Sequence, residues 1–178
     1  MNLWHEVSRG KNVPEVLNVI IETPKGSKNK YEIDKETGLI KLDRVMKTAQ
    51  DFPFDYGFVP QTLWEDGDAL DVVVLTTYPL AVGILLEVRP VGVALMIDCG
   101  ESDYKIISVP KNDPRWDNVK DLGDVNPYTL KEIKHFFETY KVIDGKKVEI
   151  QGFEDKKSAV AVIEKSIVLY GEKFSKKD

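Results

Sequence analysis

Asp66-Gly67-Asp68-Ala69-Leu70-Asp71-Val72-Val73-Val74-Leu75 sets three carboxylates within six residues and follows them with an apolar run. Like charges this close raise one another's pKa, so a cation must offset them if the three converge. With neither Cys nor His among them, the oxygen donors suit Mg²⁺, Mn²⁺ or Ca²⁺ rather than zinc. On an α-helix, at roughly 100° per residue, Asp66 and Asp68 would point about 200° apart. On a strand they share a face, but Asp71 takes the other. A turn at Gly67, where glycine accepts angles other residues avoid, leading into a strand at Asp71 satisfies all three. The segment reads as a metal-binding loop feeding a buried strand. An EF-hand is rejected, because its fifth, sixth and twelfth positions fall on Leu70, Asp71 and Thr77 where Asp or Asn, Gly and Glu are required. A solvated acidic turn is the plain alternative for the segment taken alone.

Upstream, Val16 to Glu22 reads as a strand. Tyr31–Asp34 and Leu39–Asp43 alternate at period two across Lys35-Glu36-Thr37-Gly38, a hairpin pattern. Pro53, Gly57 and Pro60 break the next stretch into loop and short strand. Val72–Thr76, Ile84–Arg89, Val91–Ile97 and Tyr104–Val109 complete the strands. Two helices follow. Thr129 to Glu132 resembles a capping box ahead of Leu130, Ile133, Phe137 and Tyr140. The second helix begins near Asp155 with the stripe Val160, Ile163, Ile167, Tyr170 and Phe174. Strands first and helices last point to a small β-barrel with flanking helices.

The chain of 178 residues, 42% hydrophobic and 31% charged, is expected to fold as one domain, 1–178. No stretch approaches the ~20 apolar residues of a membrane span. Met1 to Glu6 shows no basic segment leading into an apolar core, so no secretory signal is expected. Cys99 is the sole cysteine, which excludes an intrachain disulfide and fits a cytoplasmic protein. It reads as a small buried hydrophobe. The net charge of −5 argues against nonspecific nucleic-acid binding. His135 reads as a packing or subunit-contact residue, and Trp4, Trp64 and Trp116 as core or interface groups.

Polar groups stand at the ends of apolar segments. Glu22 closes the first strand. Lys30 and Glu32 flank Tyr31 on one face, and Arg44 follows Leu42-Asp43. Asp98 ends another strand, Asp103 and Lys105 open the next, and Tyr140-Lys141 ends the first helix. Any one of these is ordinarily a surface charge. Together they place carboxylates and cations at strand ends, where one barrel rim gathers them. Such a rim suits a phosphate compound bound through divalent ions, with Arg and Lys taking the remaining charge.

These residues resemble those of soluble family I inorganic pyrophosphatases of the prokaryotic type, from about Val16 to about Tyr170. Asp66 to Val72 resembles the family signature. Lys30–Asp34, Asp43–Met46, Asp55–Pro60, Arg89–Val93 and His135–Lys141 match the other landmarks in order. The resemblance implies an α+β, mainly β fold: a five-stranded OB-like barrel with flanking helices, the two longer ones towards the C-terminus. It implies hydrolysis of pyrophosphate to two orthophosphates, using several Mg²⁺ (or Mn²⁺ or another divalent ion) and a metal-activated water. By the resemblance Asp66, Asp71, Asp98 and Asp103 are metal ligands with Glu32 nearby, and Asp68 deprotonates the water. Lys30, Arg44, Tyr56, Tyr140 and Lys141 bind phosphate, and Glu22 and Lys105 occupy further active-site positions. A homo-oligomer, commonly a hexamer, is implied, with no nucleic-acid or membrane partner. Ala69 stands where the family often has Pro, and Phe52 where it often has Tyr. Two other readings stay open: a metal-dependent phosphohydrolase of nucleotides or phosphoesters, and an OB-type binder of single-stranded nucleic acid.

Overall fold

The loop at Asp66 does feed a strand. In the computed structural model, which describes residues 1–174, Gly67 has φ +86° and a strand begins at Asp71. Numbered in chain order, the strands before it are β1 (Leu17–Thr23), β2 (Asn29–Ile33), β3 (Ile40–Val45) and β4 (Asp55–Phe58), and β5 is Asp71–Val74. After it come β6 (Leu85–Asp98), β7 (Glu101–Ser102), β8 (Lys105–Pro110) and β9 (Val148–Glu154). The helices are α1 (Pro127–Thr139) and α2 (Lys156–Phe174).

Five strands close into a ring in the order β1-β4-β5-β8-β6, with β6 pairing back onto β1. Every join is antiparallel except β5 with β8. This is the OB-like arrangement expected. β7 and β9 extend the far end of β6, and β2–β3 forms a separate two-stranded sheet. The apolar run of β5 is unbroken because both of its faces are covered. Val72 and Val74 join Leu17, Val19, Ile106 and, from α2, Ile163 in one core. Val73 joins Tyr56, Ile107 and, from α1, Ile133 and Phe137 in another. Each such valine contributes about 1.5–3 kcal/mol by leaving water. The β1–β4 pairing is close enough to demand glycine, since a Cβ on Gly57 would lie 2.0 Å from Ile20 O.

Several local expectations are corrected. The strands read as Ile84–Arg89 and Val91–Ile97 are one, β6, which passes Pro90 with a register shift on its β8 side. A Pro breaks a ladder only where its N–H is needed, and at a bulge it is not. β9 is a further strand that the sequence pattern does not predict. The first helix is capped by Asn126, whose side chain accepts from Tyr128 N at 2.9 Å with Pro127 at the first turn, not by a box at Thr129. On α2 the fully buried positions are Ala159, Ile163 and Ser166, so the inward face is rotated from the stripe at Val160 and Phe174. Cys99 is exposed, not buried. It sits with Gly100 in the β6–β7 turn, where both have positive φ (51° and 93°), as a tight hairpin requires. His135 is exposed on α1, so it does no core packing within the chain. Trp4 and Trp64 are buried, and Trp116 is partly buried against the α1 core.

Candidate active site

The rim begins where β1 ends. Glu22 is 4% exposed, and its Oε1 accepts from Ile33 N at 2.6 Å, tying the β2–β3 hairpin to the ring. On the hairpin, Lys30 pairs with Arg44 and Glu32 with Lys41 across the ladder. Lys30 Nζ lies 3.2 Å from Glu32 and 3.8 Å from Asp43, and Asp43 in turn lies 3.5 Å from Arg44 Nε. In the signature loop, Asp66 Oδ1 accepts from Asp68 N at 3.0 Å, and Trp64 N donates to Asp68 O at 2.7 Å. These bonds fix a turn that leaves Asp68 exposed and delivers Asp71 to the head of β5.

β5 and β8 run parallel with Asp71 opposite Lys105. The Lys105 side chain is 2% exposed, and its Nζ lies 2.5 Å from Asp71 Oδ2 and also bonds Asp103. It stands 5.8 Å from the Tyr56 ring centroid. Asp103 is returned to this point by the β6–β7 turn and a bond from its N to Met96 O. At the end of β6, Asp98 accepts from Lys141, whose Nζ is 5.1 Å from the Tyr140 ring centroid just past the end of α1.

The electrostatics follow from crowding and burial. Burial, then the Asp71 charge, pushes the Glu22 carboxyl well above the usual carboxylate range. Burial, with Asp103 and Asp71 adding to it, lifts Asp66 to about 7. Burial alone would lower the Lys105 ammonium, but Asp103 and Asp71 raise it above its ordinary value. Burial pushes Asp98 up, yet the hydrogen bond and charge of Lys141 outweigh it and hold that carboxyl low. Burial raises both the Tyr56 and Tyr140 phenols, keeping them as neutral donors.

A cleft of about 300 Å³ lies between the hairpin and the signature loop, and Glu22, Lys30, Glu32, Tyr56, Asp68 and Asp71 line it. Asp66, Asp98, Asp103, Arg44, Tyr140 and Lys141 do not line it. Of these, Arg44 is linked to the cleft through Asp43 and Lys30, and Asp103 through the buried Lys105 and Asp71. Among the described residues, no three carboxylates are drawn together as a ready cage. Lysines stand among them instead, with Lys105 between Asp71 and Asp103, Lys141 on Asp98 and Lys35 on Asp68.

Even so, the residues fit divalent ions. The donors are all oxygen, Asp98 Oδ1 is buried without a hydrogen-bond partner, and the charges of Asp103 and Asp71 add to burial in raising Asp66. Sequence reasoning missed Lys35 and Lys41, both on the cleft wall, and the buried Asp55. Lys41 was legible as the cross-strand partner of Glu32. Asp55 stood within the Asp55–Pro60 landmark without a role of its own, and nothing local marked Lys35.

A family model described as inorganic pyrophosphatase matches residues 19–171. The chain belongs to the inorganic pyrophosphatase family. It is 49% identical over 164 residues to the inorganic pyrophosphatase of Thermus thermophilus, covering 90% of this chain and 94% of that protein. It is 44% identical over 176 residues to that of Haloferax volcanii, covering 98% and 99%. The crystal structure of the Thermus thermophilus inorganic pyrophosphatase superposes with a TM-score of 0.92 at 48% identity, over 96% of this chain and 99% of that one. The likeness to these pyrophosphatases therefore spans ring, hairpin and both helices.

Proposed function

We infer that this chain hydrolyses inorganic pyrophosphate to two orthophosphates at the cleft between the hairpin and the signature loop. The observation that carries this reading is the interleaving of carboxylates with cations: Asp71 and Asp103 on the buried Lys105 and Asp98 on the partly buried Lys141, beside Tyr56 and Tyr140. Asp66, Asp71, Asp98 and Asp103, with Glu32 nearby, would hold Mg²⁺, or Mn²⁺ in its place. Bound there, divalent ions lower the pKa of water and neutralise phosphate charge. Asp68, exposed at the cleft wall, accepts the proton of the attacking water. Lys30, Arg44 and Lys141 bind the phosphate oxygens, and Tyr56 and Tyr140, held neutral by burial, donate hydrogen bonds to them. Glu22 fixes the hairpin against the ring, and Lys105 bridges Asp71 and Asp103 and offsets their repulsion. The acidic chain admits its anionic substrate as a magnesium complex.

Three further features belong to this reading. The whole chain acts as one domain, supported by a family match over most of its length. It assembles as a homo-oligomer, a hexamer by the family resemblance, with Leu42, Val45 and Tyr78 among the apolar side chains left exposed on the single chain. It works in the cytoplasm, supported by its single free cysteine; among the described residues, no helix is long and apolar enough to cross a membrane.

The test is phosphate release from pyrophosphate and from ATP with Mg²⁺, each with and without a chelator. Release from pyrophosphate that stops with chelator is expected, with ATP far slower. Equal rates on ATP would make the chain a general phosphohydrolase.

A further inference from the structure

Trp4 holds no role in the reaction above, yet it lines the cleft. Its side chain is buried, and its Nε1–H donates to Thr62 O at 2.8 Å. Its carbonyl accepts from Gln61 N at 2.8 Å. Thr62 Oγ1 accepts from Leu70 N at 3.0 Å, so the chain of bonds runs from Trp4 into the signature loop. Trp4 also belongs to a small core with Phe58, Leu63 and Ala69, against which Ile33 and Ile40 of the hairpin pack. Leu3 N donates to Gly38 O at 3.3 Å, and a Cβ on Gly38 would lie 2.7 Å from Asn2 Cα. The N-terminal segment is seated directly on the hairpin's turn.

The hairpin needs that seat. β2–β3 is a two-stranded sheet of its own, and a lone hairpin is marginal in water. Its side-chain ties to β1 are Thr23 with Tyr31 and Glu22 with Ile33. The hairpin carries Lys30, Glu32 and Arg44, while the loop beyond the indole carries Asp66, Asp68 and Asp71. We propose that Trp4 is a positioning residue for pyrophosphate hydrolysis. Packed between hairpin and loop, it fixes the distance of the phosphate-binding cations from the signature carboxylates. The inference rests on the reading of the site given above. Loosening the hairpin weakens the grip on phosphate in ground state and transition state alike, which raises KM more than it lowers kcat.

Steady-state kinetics with magnesium pyrophosphate on the full chain test this, comparing wild type, Trp4→Ala, Trp4→Phe and Ile163→Val well below their melting midpoints. Ile163→Val lowers stability from the core beneath α2, away from the cleft. For Trp4→Ala, KM is expected to rise about tenfold with kcat within about twofold. Trp4→Phe keeps an aromatic ring but loses the N–H, and raises KM about threefold by the same logic. Ile163→Val leaves KM unchanged. If Trp4→Ala does not fold, Trp4→Phe decides. Wild-type KM in the Trp4 variants, with lowered melting midpoints, makes Trp4 a stability residue and overturns the proposal. Wild-type protein that releases no phosphate from pyrophosphate sinks the site reading itself, a failure visible before any variant is measured.

Discussion

Lys105 and Asp71 are register partners at the ring's one parallel join, with Nζ 2.5 Å from Oδ2 and the lysine almost wholly buried. The same ammonium also bonds Asp103. Removing the cation leaves two neighbouring carboxylates uncompensated, a loss of about 3–5 kcal/mol for a broken buried pair. Lys105→Met is expected to lose stability in urea unfolding with chelator present. Added Mg²⁺ should restore part of it, because a new cation offsets the same charges. Wild-type stability under both conditions would show that the pair holds nothing together.

Asp68 has little structural work. It is exposed, and its carboxylate pairs with exposed Lys35, so Asp68→Asn should shift stability within about 0.5 kcal/mol. Turnover is expected to fall about 10²–10⁴-fold, the usual yield of a positioned base. Near-normal turnover would remove Asp68 from its assigned role.

Arg44 offers a planar fork that lysine lacks. Arg44→Lys keeps the charge but gives up one charge-assisted hydrogen bond to phosphate, about 1.5–3 kcal/mol. The expected result is a KM for pyrophosphate raised about ten- to a hundredfold, with an unchanged melting midpoint. Identical kinetics would make Arg44 a structural partner of Asp43.

Asp55 is fully buried, and its Oδ1 accepts from Lys25 N and Leu80 N, each at 3.0 Å, while Oδ2 accepts from the Thr76 hydroxyl. Asp55→Ala strands the buried Thr76 hydroxyl, at about 1–3 kcal/mol, and the part-buried Lys25 and Leu80 N–H groups at less, so a loss of about 2 kcal/mol or more is expected in urea unfolding. A loss below about 1 kcal/mol would mean that water replaces the carboxylate.

His5 supplies a pH dependence away from the carboxylates. It stacks on Trp4 at 4.6 Å between centroids, and its Nδ1 lies 2.8 Å from Tyr170 Oη. Burial holds its imidazole below the ordinary 6.5. The unfolded chain therefore takes up the proton first. The stabilising contribution is whole above about pH 6.5 and is lost as pH falls through the lower folded value. Wild type should lose more of its melting midpoint than His5→Gln between pH 7 and pH 5. Parallel losses would refute this.

Much of the fold was legible because its signals are local. The β2–β3 alternation, the Gly67 turn and the valines of β5 each announce an element from consecutive residues. The joining of Ile84–Arg89 to Val91–Ile97 was not legible. Whether Pro90 breaks a strand depends on a missing N–H that only the β8 register shows to be dispensable. The exposure of Cys99 was hidden for a similar reason, since its positive φ belongs to a hairpin closed by Ile97 and Ser102. Asp55 looked like part of a motif, but its role comes from backbone N–H groups at Lys25 and Leu80, far away in sequence.

The sequence by itself determined which charged and phenolic groups this protein carries at its strand and helix ends and in which elements they lie, because carboxylate spacing, strand period and helix stripe are properties of neighbouring residues. Only the tertiary structure decided which charges meet: Lys105 with Asp71 and Asp103, Lys141 with Asp98, and Trp4 between hairpin and loop. Those pairings depend on the register of strands joined across the ring and on burial. Both arise when distant segments pack, and neither is written in any short stretch of the chain.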